Sequence, residues 1–210
     1  MAQRIKGPRL RKTITKYDYN KVRKYAKSYA KYIVRQAKKR ISQKDKVDTG
    51  WLRNSLAYRV KWNRKGFIEI EWYYAKYGEF IDKGVQGLGK GNLPPNSTVG
   101  QHGGEKMMPN RTYIDVHGKR KRSRFKFKTP GMPPDLMEEY VRRKGIQIDD
   151  MTVPQMAFLI GRGIKAKGIK GISFYTQPLS WSRNKFNKDL ESMIADDLRT
   201  KISKDLKIKY

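Results

Sequence analysis

Residues 56 to 72 read LAYRVKWNRKGFIEIEW and carry the clearest structural signal in the chain. Leu56, Tyr58, Val60 and Trp62 alternate with Ala57, Arg59 and Lys61. Asn63 to Gly66 supply a turn, and Ile68, Ile70 and Trp72 then alternate with Glu69 and Glu71. A period of two on both sides of a turn predicts a β-hairpin over about 56–73, apolar on one face and charged on the other. Arg59 and Lys61 can face Glu69 and Glu71 across the pair. Each such contact contributes about 0.2 to 1 kcal/mol and fixes register more than stability.

Upstream of the hairpin the period changes. From Asp18, a plausible N-cap, Val22, Ala26, Tyr29, Ile33, Ala37 and Ile41 recur at three- and four-residue steps, which predicts a long amphipathic helix. Lys21, Lys24, Lys31, Arg35 and Lys38 fall on its other face, where charge ordinarily means a solvated surface. Residues 1–17 have no apolar period and are punctuated by Gly7 and Pro8, so they read as an extended basic arm carrying Arg4, Lys6, Arg9, Arg11 and Lys12. Between helix and hairpin, Asp48 or Thr49 can cap a short helical turn with Trp51, Leu52 and Leu56 inward.

Downstream, Tyr73 to Gly84 reads as a short helix that buries Tyr77, Phe80 and Ile81 and ends at Gly84. Residues 85–111 hold too many Gly and Pro for a packed element and read as a long loop. Thr112 to Val116 and Arg124 to Lys128 can form a second hairpin with a basic tip from His117 to Ser123. Positions 119–128 hold seven Lys or Arg, and Lys119, Arg120, Lys121, Arg122, Arg124 and Lys126 are the candidate contacts for DNA or an acidic partner.

The last third is helical. Pro134 opens a segment with Leu136, Met137, Tyr140 and Val141 that closes at Gly145. Thr152 to Gln155 fits a capping box before Met156, Leu159, Ile160 and Ile164, and Gly168 closes that helix. Trp181, Phe186, Leu190, Met193, Ile194, Leu198 and Ile202 define a long final helix capped near Ser180 or Ser182. Asp189, Glu191, Asp196 and Asp197 give it an acidic surface able to pair with the basic N-terminal helix of the same or a neighbouring subunit.

These readings sum to an α+β fold: a small antiparallel sheet packed by a long N-terminal and a long C-terminal helix. One core takes residues 18–84 and 134–203, 85–133 is inserted, and 204–210 is a basic tail. The 210 residues include 49 Lys and Arg against 19 Asp and Glu, a formal charge of +30. Half of that excess lies in residues 1–46, where 17 Lys or Arg stand against Asp18 and Asp45. A compact monomer so charged repels itself and attracts polyanions, so nucleic acid or an acidic protein surface is the expected partner. No basic stretch joins a strongly apolar helix face, no apolar run reaches membrane-spanning length, and no signal-peptide h-region follows the N-terminus. The expectation is a soluble chain made in cytoplasm.

Catalytic patterns are weak. The absence of Cys excludes disulfides, thiolate metal sites and cysteine nucleophiles. His102 and His117 have only Glu105 near metal-ligand spacing, so no metal or cofactor site is expected. Gly87 to Asn92 has phosphate-loop glycines but no Ser or Thr after Lys90. Glu69, Glu71 and Asp48 could suggest a metal-dependent nuclease, yet Tyr73 stands where a catalytic Lys is needed, and Arg59 and Lys61 would neutralise the carboxylates. No Ser lies in a nucleophile-elbow setting.

Three stretches together resemble a family. Asp48-Thr49-Gly50-Trp51-Leu52-Arg53-Asn54-Ser55-Leu56 resembles the DTG-x-LR-x-S element of tailed-bacteriophage neck proteins, the tail-completion or head-to-tail connector family. Tyr74 to Gly84 (YAKYGEFIDKG) resembles its YA-x-Y…G element. Gly168 to Leu179 (GIKGISFYTQPL), with Phe174 and Pro178, is similar to its aromatic-plus-Pro lead into a C-terminal helix. Met137 to Ile146 followed by Met156 to Gly171 looks like a variant found in crAss-like and other gut Bacteroidetes phages. The resemblance covers about 18–84 and 134–203. It implies a non-enzymatic virion protein whose identical subunits form a ring, twelve-fold by resemblance. That ring would join portal to tail or other neck proteins around the DNA channel. The implied motif positions are Asp48, Thr49, Gly50, Leu52, Arg53, Ser55, Tyr74, Tyr77, Gly84, Phe174 and Pro178, all structural. A basic nucleic-acid-binding protein outside any virion is the alternative.

Overall fold

The computed structural model describes residues 4–13, 20–44, 49–62, 67–87, 111–127, 134–148 and 150–207. The fold is α+β. Its order is β1 (Arg4–Thr13), α1 (Asn20–Gln43), α2 (Trp51–Ser55), β2 (Ala57–Trp62), β3 (Phe67–Ala75), α3 (Gly78–Lys83) and β4 (Val85–Gln86). There follow β5 (Thr112–Ile114), β6 (Arg120–Arg122), α4 (Pro134–Lys144), α5 (Val153–Lys167), β7 (Gly168–Ile169) and α6 (Thr176–Lys207). The chain divides into two compact units, residues 1–78, 115–119 and 174–210 in one and 79–114 and 120–173 in the other. This division differs from the single core read from sequence, because residues 134–173 cluster with the inserted region.

In the first unit β3 is the central strand of a sheet ordered β1-β3-β2, antiparallel throughout. The hairpin register sets Arg59 opposite Glu71 and Lys61 opposite Glu69. On the apolar face Ile68, Ile70, Trp72 and Tyr74 are buried. α1 lies against β2 and β3, and its stripe of Val22, Ala26, Tyr29, Ile33, Ala37 and Ile41 is wholly buried. α6 packs on α1, with Phe186 stacked on Tyr29 at 4.0 Å between ring centroids. Trp72 donates its indole N–H to the Ala30 carbonyl at 3.3 Å, so the ring is buried without an orphaned donor.

Residues 4–13 are not a free arm. They form β1, the third strand of the sheet, with Arg9 opposite Glu71 and Arg11 opposite Glu69, and a register shift between Lys6 and Arg9. The shift falls at Gly7-Pro8, where proline has no N–H for the ladder. β3 also runs longer than the hairpin alone requires. Tyr73 to Ala75 pair with β1 and Tyr73 with β2, so the segment read as a helix from Tyr73 begins helically only at Gly78. Tyr77 and Phe80 are then exposed rather than buried.

α6 starts at Thr176, earlier than expected, so Ser180 and Ser182 lie inside the helix and cap nothing. Ser182 returns its hydroxyl to the Pro178 carbonyl at 2.7 Å. Trp181 lies on the outer side of α6, about 140° of helical turn from Phe186, at 69% exposure and with Arg40 over its ring at 5.6 Å. Trp51 is likewise exposed, while Leu52 and Leu56 are buried. Ile202, at the far end of α6, is exposed too.

In the second unit α4 and α5 pair around Val141, Met156 and Ala157, with Met137, Ile146 and Ile160 packed against them. Leu136 and Leu159, expected inward, are exposed. Thr152 forms the expected capping box with Gln155, and Gly168 ends α5 at φ 73°. β4 pairs with β7. Gly84 and Gly87 lie against Gly171 and Gly168 so closely that a Cβ on Gly84 would sit 2.6 Å from the Ile169 carbonyl. Residues 88–110, most of the expected loop, are outside the described residues.

Candidate functional site

The three stretches that carry the family resemblance can be followed one by one. Asp48 is outside the described residues. Thr49 Oγ1 accepts from the Trp51 N–H at 3.4 Å, and Gly50 takes a left-handed conformation at φ 74° to start α2. Ser55 accepts from the Ala75 N–H at 2.9 Å and donates to the Leu52 carbonyl at 2.8 Å. The Tyr74 ring meets Phe174 at 5.9 Å and Tyr175 at 5.5 Å, and Tyr175 also meets Trp72 at 6.0 Å. Pro178 is buried. Leu52, Ser55, Tyr74, Phe174 and Pro178 thus belong to the core of the first unit, while Arg53 and Tyr77 are exposed. Gly84 belongs to the second unit, where its φ of 77° ends α3.

The basic hairpin differs in detail from its expected form. Its return strand is Arg120–Arg122, paired with Thr112–Ile114, and not 124–128. The reason is Asp115, whose buried carboxylate accepts the N–H groups of His117 and Lys119, each at 2.9 Å. With Gly118 at φ 79°, that Asx-type turn closes the hairpin tightly, so there is no long projecting tip. Lys119, Arg120, Lys121, Arg122, Arg124 and Lys126 are all exposed. Ser123 between them is buried, donating to the Gly84 carbonyl at 2.6 Å, and Phe125 packs edge-on against Phe80 at 4.8 Å. Arg124 reaches Glu79 at 3.0 Å.

The cations of β1 occupy register positions along β3, with Arg4 opposite Ala75, Lys6 opposite Tyr73 and Lys12 opposite Ile68 besides the two that face glutamates. Glu71 is only 1% exposed, although sequence alone places it on a charged outer face. Lys61 lies 2.8 Å from its carboxylate, and the Tyr73 hydroxyl donates to it at 2.5 Å. That hydrogen bond raises the Tyr73 pKa above its usual value. Part of the acidic surface of α6 is engaged within the chain itself. Tyr25 donates to Asp189 at 2.6 Å, and Lys21 lies 3.8 Å from Asp197. Burial, followed by the Asp189 hydrogen bond, drives the Tyr25 pKa strongly upward. Burial also raises Tyr29.

For the nuclease reading, Glu71 is committed to Lys61 and Tyr73, and Asp48 is outside the described residues. His117 is exposed with Arg183 2.6 Å from its Nδ1, and His102 is outside the described residues. Among the described residues no three His, Asp or Glu side chains gather as a metal site, and no helix is long and apolar enough to cross a membrane. Asp115, Ser123 and Glu71 organise these surfaces; Asp115 and Ser123 do not stand out in the sequence, and the burial of Glu71 does not either. Each is recognised only through its backbone or cross-strand partners. Searches of protein-family models, curated proteins and solved structures find nothing that matches this chain.

Proposed function

We propose that this chain is a structural virion protein of a phage neck, forming a homomeric ring that joins portal to tail around the DNA channel. The observation that supports the reading best is the packing of Leu52 and Ser55, Tyr74, and Phe174 and Pro178 within one core. Residues far apart in sequence that carry the family resemblance are then framework positions, as expected for motifs that shape a subunit rather than react. Function falls to the surfaces, and the reading assigns no catalytic role to any residue.

A ring closes when each subunit offers two different complementary flanks and their rotation returns on itself. With Arg4–Thr13 in the subunit's own sheet, the neighbour-facing feature on this reading is the outer edge of β1, not a free arm. A charge of +30 on each copy opposes closure at low ionic strength unless DNA or acidic partners neutralise it. The alternative is a nucleic-acid-binding protein outside any virion. The exposed aromatics Trp51 and Tyr58 favour it, since bases stack on such rings. Sedimentation velocity of the full chain, alone and with portal protein across graded salt, separates the two. A discrete multi-subunit species supports the neck subunit, and a monomer that ignores portal but binds DNA tightly supports the alternative.

A further inference from the structure

A cleft of about 720 Å3 opens along the outer face of α1 in the first unit, and Arg53 of α2 closes its side. Lys31, Arg35, Lys38 and Lys39 line it from the helix. They recur at roughly one cation per turn, a repeat of about 5.4 Å along the axis. Among the described residues, no carboxylate lines the cleft. We infer that this cleft holds one phosphodiester strand of double-stranded DNA, gripped by Lys31, Arg35, Lys38, Lys39 and Arg53 without regard to base sequence. The inference does not require the neck reading, because a DNA-binding monomer would use the same cleft.

A basic helix face is ordinarily a solvated one, and two features separate this from that case. The charge is concave and drawn from two elements, so cations converge on a shared volume and raise its potential, where a convex face would let them spread. Every copy of the chain also carries 49 Lys and Arg against 19 Asp and Glu, and several of those carboxylates already have partners of their own. Glu71 is committed to Lys61, Glu79 to Lys83 and Arg124, Glu138 to Arg142 and Glu139 to Arg143, while Asp189 and Asp197 meet Tyr25 and Lys21. A second copy is therefore a poor occupant, and the neutralising charge comes from outside.

Duplex is favoured over single-stranded nucleic acid by Tyr32, the aromatic among the described residues of the cleft. Tyr32 is 39% exposed, but the Arg35 guanidinium lies 5.9 Å from its ring centroid. The ring face is thus occupied by a cation and is no platform for bases, whereas single-strand grooves rely on such platforms. What remains is a line of charge with the Ser28 hydroxyl beside it, suited to backbone phosphates.

The test is fluorescence anisotropy of a short mixed-sequence duplex titrated with the full chain over a graded salt series. The triple variant Lys31→Gln, Arg35→Gln, Lys39→Gln alters only exposed side chains, and thermal melting by circular dichroism checks its fold. A matched variant, Lys144→Gln, Lys167→Gln, Lys170→Gln, removes the same charge from exposed positions in the second unit. Each phosphate contact contributes about 0.9 to the slope of log affinity against log salt, so the cleft variant is expected to lower that slope by about 2 to 3. The matched variant keeps it, and Lys31→Arg with Lys39→Arg retains binding. Equal losses in both triple variants would mean that net charge alone drives binding and would overturn the inference. So would a cleft variant that keeps the full slope, or a cleft that prefers poly-glutamate or single-stranded DNA to the duplex. Assembly with portal, followed by sedimentation on the same samples, reports on the neck reading separately.

Discussion

Ser55 holds the end of β3 in register with α2: its hydroxyl accepts from the Ala75 N–H at 2.9 Å and donates to the Leu52 carbonyl at 2.8 Å. The side chain is 4% exposed, so water does not replace it. Ser55→Ala leaves a buried N–H without that acceptor, which costs about 1 to 3 kcal/mol. All four tryptophans, Trp51, Trp62, Trp72 and Trp181, belong to the first unit, so their fluorescence follows its unfolding. In urea the fluorescence midpoint of Ser55→Ala falls while the slope of the transition is unchanged.

Two glycine substitutions in the second unit are expected to have opposite signs. Gly84 sits at φ 77°, and a Cβ there would lie 2.6 Å from the Gly171 backbone N and from the Ile169 carbonyl. Both contacts are backbone, so Gly84→Ala must part β4 from β7 and is expected to cost more than about 2 kcal/mol. Gly163 lies inside α5 with open space around its Cβ position. There alanine restricts the unfolded chain and suits the helix, giving a gain of about 0.5 to 1 kcal/mol. Thermal melts by circular dichroism give both directions.

The Tyr25–Asp189 contact between α1 and α6 makes stability depend on alkaline pH. Burial and the hydrogen bond raise the tyrosine pKa in the folded state above its ordinary value of 10.0. Below that value both folded and unfolded chains hold the proton and the contribution is fully present. Above it the unfolded chain releases the proton while the folded one keeps it, so stability falls as pH rises toward the folded pKa. Tyr25→Phe removes this component. Denaturation midpoints of wild type and variant are therefore expected to draw together above pH 10, the wild type losing more.

Much of this architecture was legible because it is written in local periods. The α1 stripe from Val22 to Ile41 is a helical repeat, the Thr152–Gln155 capping box is a four-residue signature, and Arg59 and Lys61 fall opposite Glu71 and Glu69 as alternation requires. Non-local facts were not legible. β1 has no apolar alternation, and its place in the sheet depends on β3, distant in sequence. α6 begins at Thr176, an onset masked by the serines that follow. The hairpin at 112–122 is shorter than its composition suggests because the Asp115 carboxylate fixes the turn. The cations were visible as composition, but their gathering into a cleft depends on Arg53 arriving from another helix.

On the neck reading proposed above, this polypeptide works through surfaces that join it to copies of itself. Negative-stain microscopy of the full chain mixed with the portal protein that the neck reading calls for tests this most directly. The account predicts closed rings of one repeating subunit seated on the portal. Single particles of subunit size, unchanged beside portal and tail components at every salt concentration, would contradict it.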